Sequence, residues 1–172
     1  MLFLLFFVMF SERPLWAEKK QRFVPFPVDV VFTWVDDQDE NWQASKKEIS
    51  AKYFGIISNP DSDSLNRFHN RDELKYSLRS IYKYASFVRH IYIVTNGQVP
   101  KWLKKHPKIS IITHDEIFKE KSDLPTFNSQ AIEANIHNIP NLSEHFLYFN
   151  DDFFLGKEVS ALDFFTPDGK ML

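Results

Sequence analysis

The run Phe146-Leu147-Tyr148-Phe149-Asn150-Asp151-Asp152-Phe153-Phe154-Leu155 decides how the rest of the chain is read. Four apolar residues stop at Asn-Asp-Asp, and apolar residues resume at once. A near-continuous apolar run of this length predicts a strand buried on both faces, as in a parallel sheet. Two adjacent carboxylates at the end of such a strand are costly to desolvate unless a positive charge compensates them. Mg²⁺ or Mn²⁺ would do so, because hard cations take oxygen ligands and a diphosphate can complete the shell. The competing reading is a solvated acidic turn between two strands.

Three earlier stretches match the first. Val28-Asp29-Val30-Val31-Phe32-Thr33-Trp34-Val35 is β-branched and aromatic, and predicts a first strand. His90 to Thr95 and Lys108 to Thr113 predict two more. Each ends on polar side chains: Asp36 after the first, Asn96-Gly97 after the second and His114-Asp115 after the third. In open α/β sheets, ligands bind outside the carboxyl ends of the strands. Four coincident polar ends favour one shared site and shift the reading of Asp151 and Asp152 from turn to metal ligand.

Helices are expected between the strands. From about Asp72 to Ala85, Leu74, Leu78, Ile81 and Ala85 recur at helical spacing, with Asp72 and Glu73 in the first turn, where the dipole favours acids. A short helix is expected over 41–54 and another over Ser129 to Asn138, capped by Thr126 or Asn128, with Ala131, Ile132, Ala134 and Ile136 apolar and Pro140 ending it. Pro100 opens a helical turn through Trp102 and Leu103, and residues 59–66 read as loop. The alternation predicts an α/β fold with a mainly parallel sheet and flanking helices. Asp37-x-Asp39-x-Asn41 suggests a calcium loop, but Trp42 stands where an EF-hand loop requires glycine.

Composition narrows the function classes. At 172 residues, 44% hydrophobic and 26% charged, the chain can build a real core. A net charge of -2 argues against a nucleic-acid partner. The absence of cysteine excludes disulfides, thiolate catalysis and Cys-ligated zinc. Four isolated glycines supply no phosphate-cradling loop, so a bound phosphate would rest on metal, Arg or helix N-termini. Residues 1–27 read as an apolar segment and linker, and 28–172 as the folded domain. Met1 to Phe10 is too short to span a bilayer. It suits a peripheral membrane contact or an incorrectly assigned start as well as a signal-like segment.

Several blocks in order resemble the Stealth family. They are Val28 to Asp36, Arg67-Phe68, Asp72 to Ile81, Val88 to Pro100, Leu124 to Ser129 and Asn150-Asp151-Asp152. The family includes bacterial capsular-polysaccharide hexose-1-phosphate transferases and the catalytic subunit of the Golgi N-acetylglucosamine-1-phosphotransferase. The resemblance implies a GT-A-like nucleotide-sugar fold, a UDP-sugar donor, a glycan or polysaccharide acceptor and Mg²⁺ or Mn²⁺. It implies attack of an acceptor hydroxyl on the β-phosphorus, releasing UMP. On that reading Asp151 and Asp152 hold the metal, and Asp36, Arg67 and Arg79 are the catalytic candidates. Thr33, Trp34, Val35, Asp72, Asn128 and Ser129 then border the donor. The implied setting is the bacterial cytoplasm, at the inner membrane face, or the Golgi lumen in a eukaryote.

Two departures stand out. Asn70-Arg71 replaces the family's usual Asp-Asn pair, and the chain ends at Leu172, before the family's third and fourth regions. The chain therefore looks like a donor half, whether as a fragment, a disrupted gene or a partner to a chain carrying the acceptor half. The rival readings are an ordinary glycosyltransferase releasing UDP and a non-catalytic nucleotide-sugar-binding module.

Overall fold

The structure, a computed structural model, describes residues 24–54 and 71–172. Four parallel strands form one sheet in the order β3-β2-β1-β4. They are β1 (Val28–Thr33), β2 (Val88–Thr95), β3 (Ile109–Thr113) and β4 (His145–Asn150). The helices are α1 (Glu40–Phe54), α2 (Glu73–Tyr84), α3 (His114–Ile117) and α4 (Ser129–Asn135). The expected α/β architecture with a parallel sheet is therefore what the chain builds. Among the described residues no helix is long and apolar enough to cross a membrane.

β1 is the centre of the sheet and is buried along almost its whole length. Its even-numbered side chains Val30, Phe32 and, just beyond the strand, Trp34 pack with Leu74, Leu78 and Ile81 of α2. Burying each of these aliphatic side chains stabilises the fold by roughly 1.5–3 kcal/mol. The odd-numbered Val31 faces the other way, into a second cluster with Tyr92, Val94, Ile112, Ile117, Ile136 and Ile139. The helical spacing read over 72–85 is realised closely, with Asp72 as the residue before α2 and Ala85 as its C-cap.

β4 departs from expectation. It lies at an edge of the described sheet, not inside it, and its residues are half-buried. Its apolar run still has a cause: Leu147 and Phe149 reach the α2 side while Phe146 and Tyr148 reach the opposite core. After β4 the chain runs back along α2. The buried Ser77 hydroxyl donates to the Phe153 carbonyl, Leu155 N donates to Ser80 Oγ (3.0 Å), and Val159 N donates to the Tyr84 carbonyl (2.9 Å). It ends near the start of β1, where Val24, Val28, Ala161 and Phe165 form a third cluster with Phe26 against it. Val24 and Phe26 thus pack into the domain, ahead of the expected boundary at residue 28.

The helix expected over 129–138 is α4 followed by a 3₁₀ turn, Ile136–Asn138, and Ala134 is exposed instead of joining the apolar side. The third strand end folds into α3. Thr113 and Glu116 form a capping box, in which Glu116 Oε2 accepts from Thr113 N at 2.7 Å and Oγ1 at 2.9 Å.

Candidate functional site

In this strand order β1, β2 and β3 are laid down in one direction, and β4 returns to the other side of β1. The direction of winding changes between β1 and β4, so a crevice is expected outside their carboxyl ends. The register pairs Thr33 with Asn150, which sets the end of β1 level with Asn150-Asp151-Asp152.

Tyr148 ties these ends together. Its hydroxyl lies 2.9 Å from Thr33 Oγ1 and donates to Asn150 Oδ1 at 2.9 Å. Burial first, helped by the Glu133 carboxylate on α4, pushes the phenol up to about 12, while the Thr33 hydrogen bond pulls the other way. Tyr148 therefore stays protonated and acts as a fixed donor.

Asp151 is pushed up to about 6, mainly by burial, then by repulsion from Asp152 and from Glu73 at the start of α2. Among the described residues, no Lys or Arg forms an ion pair with Asp151 or Asp152. No group of three His, Cys, Asp or Glu side chains that could hold a metal is found among them either. The donor set is thus two hard carboxylates on adjacent residues. That suits Mg²⁺ or Mn²⁺ when a substrate diphosphate and water supply the remaining ligands, the usual manner of binding for Mg²⁺.

Around β1 the expected donor-site residues divide. Thr33 is at the switch point. Trp34 is buried against α2, donates its backbone N–H to the Val94 carbonyl (3.0 Å), and its indole Nε1 has no hydrogen-bond partner among the described residues. Val35 is half-buried. Asp36 is clasped by Gln98, whose side chain accepts from Asp36 N (2.8 Å) and donates to Asp36 O (2.9 Å), joining the ends of β1 and β2. The Asp36 carboxylate itself accepts from Gln38 N at 3.1 Å.

The other expected residues among those described sit on or beside α2 and α4. Asp72 takes a left-handed backbone (φ 62°) and accepts from Trp102 Nε1 at 2.9 Å. Asn128 caps α4, its Oδ1 accepting from Gln130 N at 3.0 Å, and Ser129 beside it is exposed. Arg79 is on the outer side of α2, with its guanidinium 5.5 Å from the centre of the Tyr76 ring. It is six residues along the helix from Glu73, a rise of about 9 Å, and the structure does not bring it to the two aspartates. Arg67 lies outside the described residues.

Residues 67–172 match Stealth protein CR2, conserved region 2, and residues 26–53 match Stealth protein CR1, conserved region 1. The chain belongs to the Stealth family. It is 49% identical to a capsular polysaccharide phosphotransferase of Haemophilus influenzae, over 84% of this chain and 39% of that protein. A capsular polysaccharide phosphotransferase of Neisseria meningitidis is 48% identical over the same shares. An exopolysaccharide phosphotransferase of Streptomyces coelicolor is 48% identical over 85% of this chain and 26% of its own length. This Stealth chain therefore spans between about a quarter and two fifths of these relatives.

Four residues of the Stealth site were not singled out from the sequence. Tyr148 could have been found from strand alternation, because two residues before Asn150 it faces the same way. Glu73 was noted only as a helix-start acid. Gln98 and Glu133 carry no local signal; strand order and the placement of α4 bring them in.

Proposed function

We propose that the chain carries the donor side of a hexose-1-phosphate transfer from a UDP-hexosamine to a sugar hydroxyl of a polysaccharide, with release of UMP. The observation that supports it most is Asp151 beside Asp152 at the crevice between β1 and β4, mutually repelling and without a basic partner among the described residues. Membership of a family whose named relatives are capsular and exopolysaccharide phosphotransferases supports the reaction class.

In this reading the acceptor oxygen bonds to the β-phosphorus, the bond from that phosphorus to the oxygen bridging the two phosphates breaks, and UMP leaves with the bridging oxygen. The hydroxyl proton passes to water as the attack proceeds. Such a transfer depends more on positioning and charge neutralisation than on covalent catalysis. Asp151 and Asp152 would hold Mg²⁺ or Mn²⁺, which would neutralise the diphosphate. Tyr148 fixes Thr33 and Asn150 relative to each other, so Asn150 turns its amide donor away from Tyr148. The Trp34 indole N–H, buried and unpartnered among the described residues, would be satisfied by an oxygen of the donor. Asp36 remains the catalytic candidate at the end of β1, and Arg67 the candidate upstream of α2. Because the named relatives are bacterial, the setting we propose is the bacterial cytoplasm, at the inner membrane face.

The test is product analysis after incubation with UDP-N-acetylglucosamine, Mg²⁺ and an oligosaccharide acceptor. UMP together with a phosphodiester-linked product is expected. Release of UDP assigns an ordinary glycosyltransferase. Metal-dependent donor binding without turnover assigns a binding module.

A further inference from the structure

From Leu74 to His114 the chain contains no Asp or Glu, although it has 23 of them in all and a net charge of -2. The same stretch holds eight Lys and Arg. One of them, Arg89, is turned to the buried Asp29. The other seven lie on α2 and on the connection from β2 to β3, and both segments cover one face of the sheet. Leu74, Leu78 and Ile81 of α2 share a core with Trp102 and Leu103 of the connection, and the Trp102–Asp72 hydrogen bond joins the two segments.

On α2, Lys75, Arg79 and Lys83 fall on the outer arc at four-residue spacing, so each lies about 6 Å further along the axis than the one before. Tyr76 and Tyr82 occupy the same arc and are 55% and 86% exposed. Beside them, Lys101, Lys104, Lys105 and Lys108 are all exposed. None of the seven makes an ion pair among the described residues. Arg79 lies over Tyr76, and Lys83 Nζ is 4.8 Å from the centre of the Tyr84 ring. Lys104 and Lys105 rim a hollow lined by Leu103, Ile109 and Ile111. The acids bordering this face are Asp72 and Glu73 at the start of α2, and Glu158 on the segment that runs beside its end.

We infer that this face binds a polyanionic glycan, a chain of sugars joined through phosphodiesters. The inference rests on the proposed reaction, which makes such a linkage, and it assigns a track along which the charged polymer is held. Lines of cations match repeating phosphates, and exposed tyrosine rings suit the C–H faces of sugars. The exposed large apolar side chains on or beside this face among the described residues are Val99, Phe153 and Phe154, and the vesicles in the experiment test a lipid surface against the glycan. The track also leads to the right place: Ser77, in the first half of α2, donates its hydroxyl to the carbonyl of Phe153, the residue after Asp152.

The experiment measures binding of the full chain to a labelled hexose-phosphate oligosaccharide. Comparison ligands are its neutral counterpart without phosphates, vesicles of phosphatidylglycerol and phosphatidylethanolamine, and a DNA duplex. The phosphorylated glycan is expected to bind in the absence of donor and metal, and to weaken as salt rises. K101E/K104E/K105E and K75E/K83E should each weaken it by about tenfold or more, with the thermal midpoint and metal-dependent donor binding unchanged. Equal binding of the neutral glycan, equal or tighter binding of vesicles or DNA, or unchanged binding by both variants would overturn the inference. If glycan binding shows this charge dependence while no UMP is released, the reaction fails and the polyanion surface stands. If UMP is released and the variants bind normally, the reverse holds.

Discussion

At the amino end of the sheet Asp29 is fully buried, and at the carboxyl end Asp151 is partly buried, yet the two carboxylates are treated in opposite ways. Asp29 accepts from Arg89 Nε at 2.8 Å and from Ser143 N at 2.8 Å, and Arg89 goes on to donate to the Asn141 carbonyl at 2.9 Å. Next to it, His145 stacks on Phe26 with ring centres 3.9 Å apart, and its Nε2 lies 2.9 Å from the Gly169 carbonyl. The buried polar side chains described there, Asp29 and Ser143, are both hydrogen-bonded within the chain. Asp151 instead meets Asp152 and Glu73, and burial with their repulsion pushes it up to about 6. The amino end fastens the fold, whereas at the carboxyl end no described Lys or Arg pairs with Asp151, the condition that the proposed cation site needs.

Asp29→Ala is the strongest blow to the fastened end. It should cost about 3 kcal/mol in urea denaturation, because it leaves the Ser143 N–H and the Nε and Nη2 groups of Arg89 without the carboxylate that accepts from all three. Gly169→Ala follows at about 1–2 kcal/mol, since φ is +86° and the new Cβ would lie 2.6 Å from His145 Nε2. At the open end the sign reverses. Asp151→Asn removes a repelled carboxylate and should leave metal-free stability unchanged or raised by up to about 1 kcal/mol at pH 7. A loss as large as that of Asp29→Ala would make Asp151 structural and erase the contrast.

pH sharpens the same comparison. Asp151 has a folded-state pKa above the ordinary carboxylate value, so the folded state keeps a proton that the unfolded chain gives up. Its contribution to stability is full below about pH 4 and is lost as pH rises through about 6. His114, lowered to about 4 by burial, does the opposite: the unfolded chain takes up a proton first, so stability falls as pH drops from 6.5 toward 4. In metal-free protein, Asp151→Asn should therefore steepen the loss of stability on acidification, and His114→Gln should flatten it. The smallest effect expected is that of Thr113→Ala, which opens the α3 capping box and should cost about 0.5–1 kcal/mol.

Much of this was legible in the sequence. β-branched runs and the spacing of Leu74, Leu78 and Ile81 identify strands and helix because burial imposes those periods locally. The carboxyl-end cluster was legible for the same reason, since parallel strands must all end at one edge. What the sequence hid depends on strand order. Nothing local marks β4 as an edge strand, Tyr148 as the link between β1 and β4, or Arg89 as the partner of Asp29. The resemblance makes Arg79 a catalytic candidate, and the helical period puts it on the exposed outer arc of α2.

The most direct test is calorimetric titration of UDP-N-acetylglucosamine into the wild type and Asp151→Asn, each with Mg²⁺ and with EDTA. The account predicts binding by the wild type with Mg²⁺ alone, and no binding by the folded variant under either condition. Equal binding of the wild type in EDTA, or undiminished Mg²⁺-dependent binding by the variant, would contradict it.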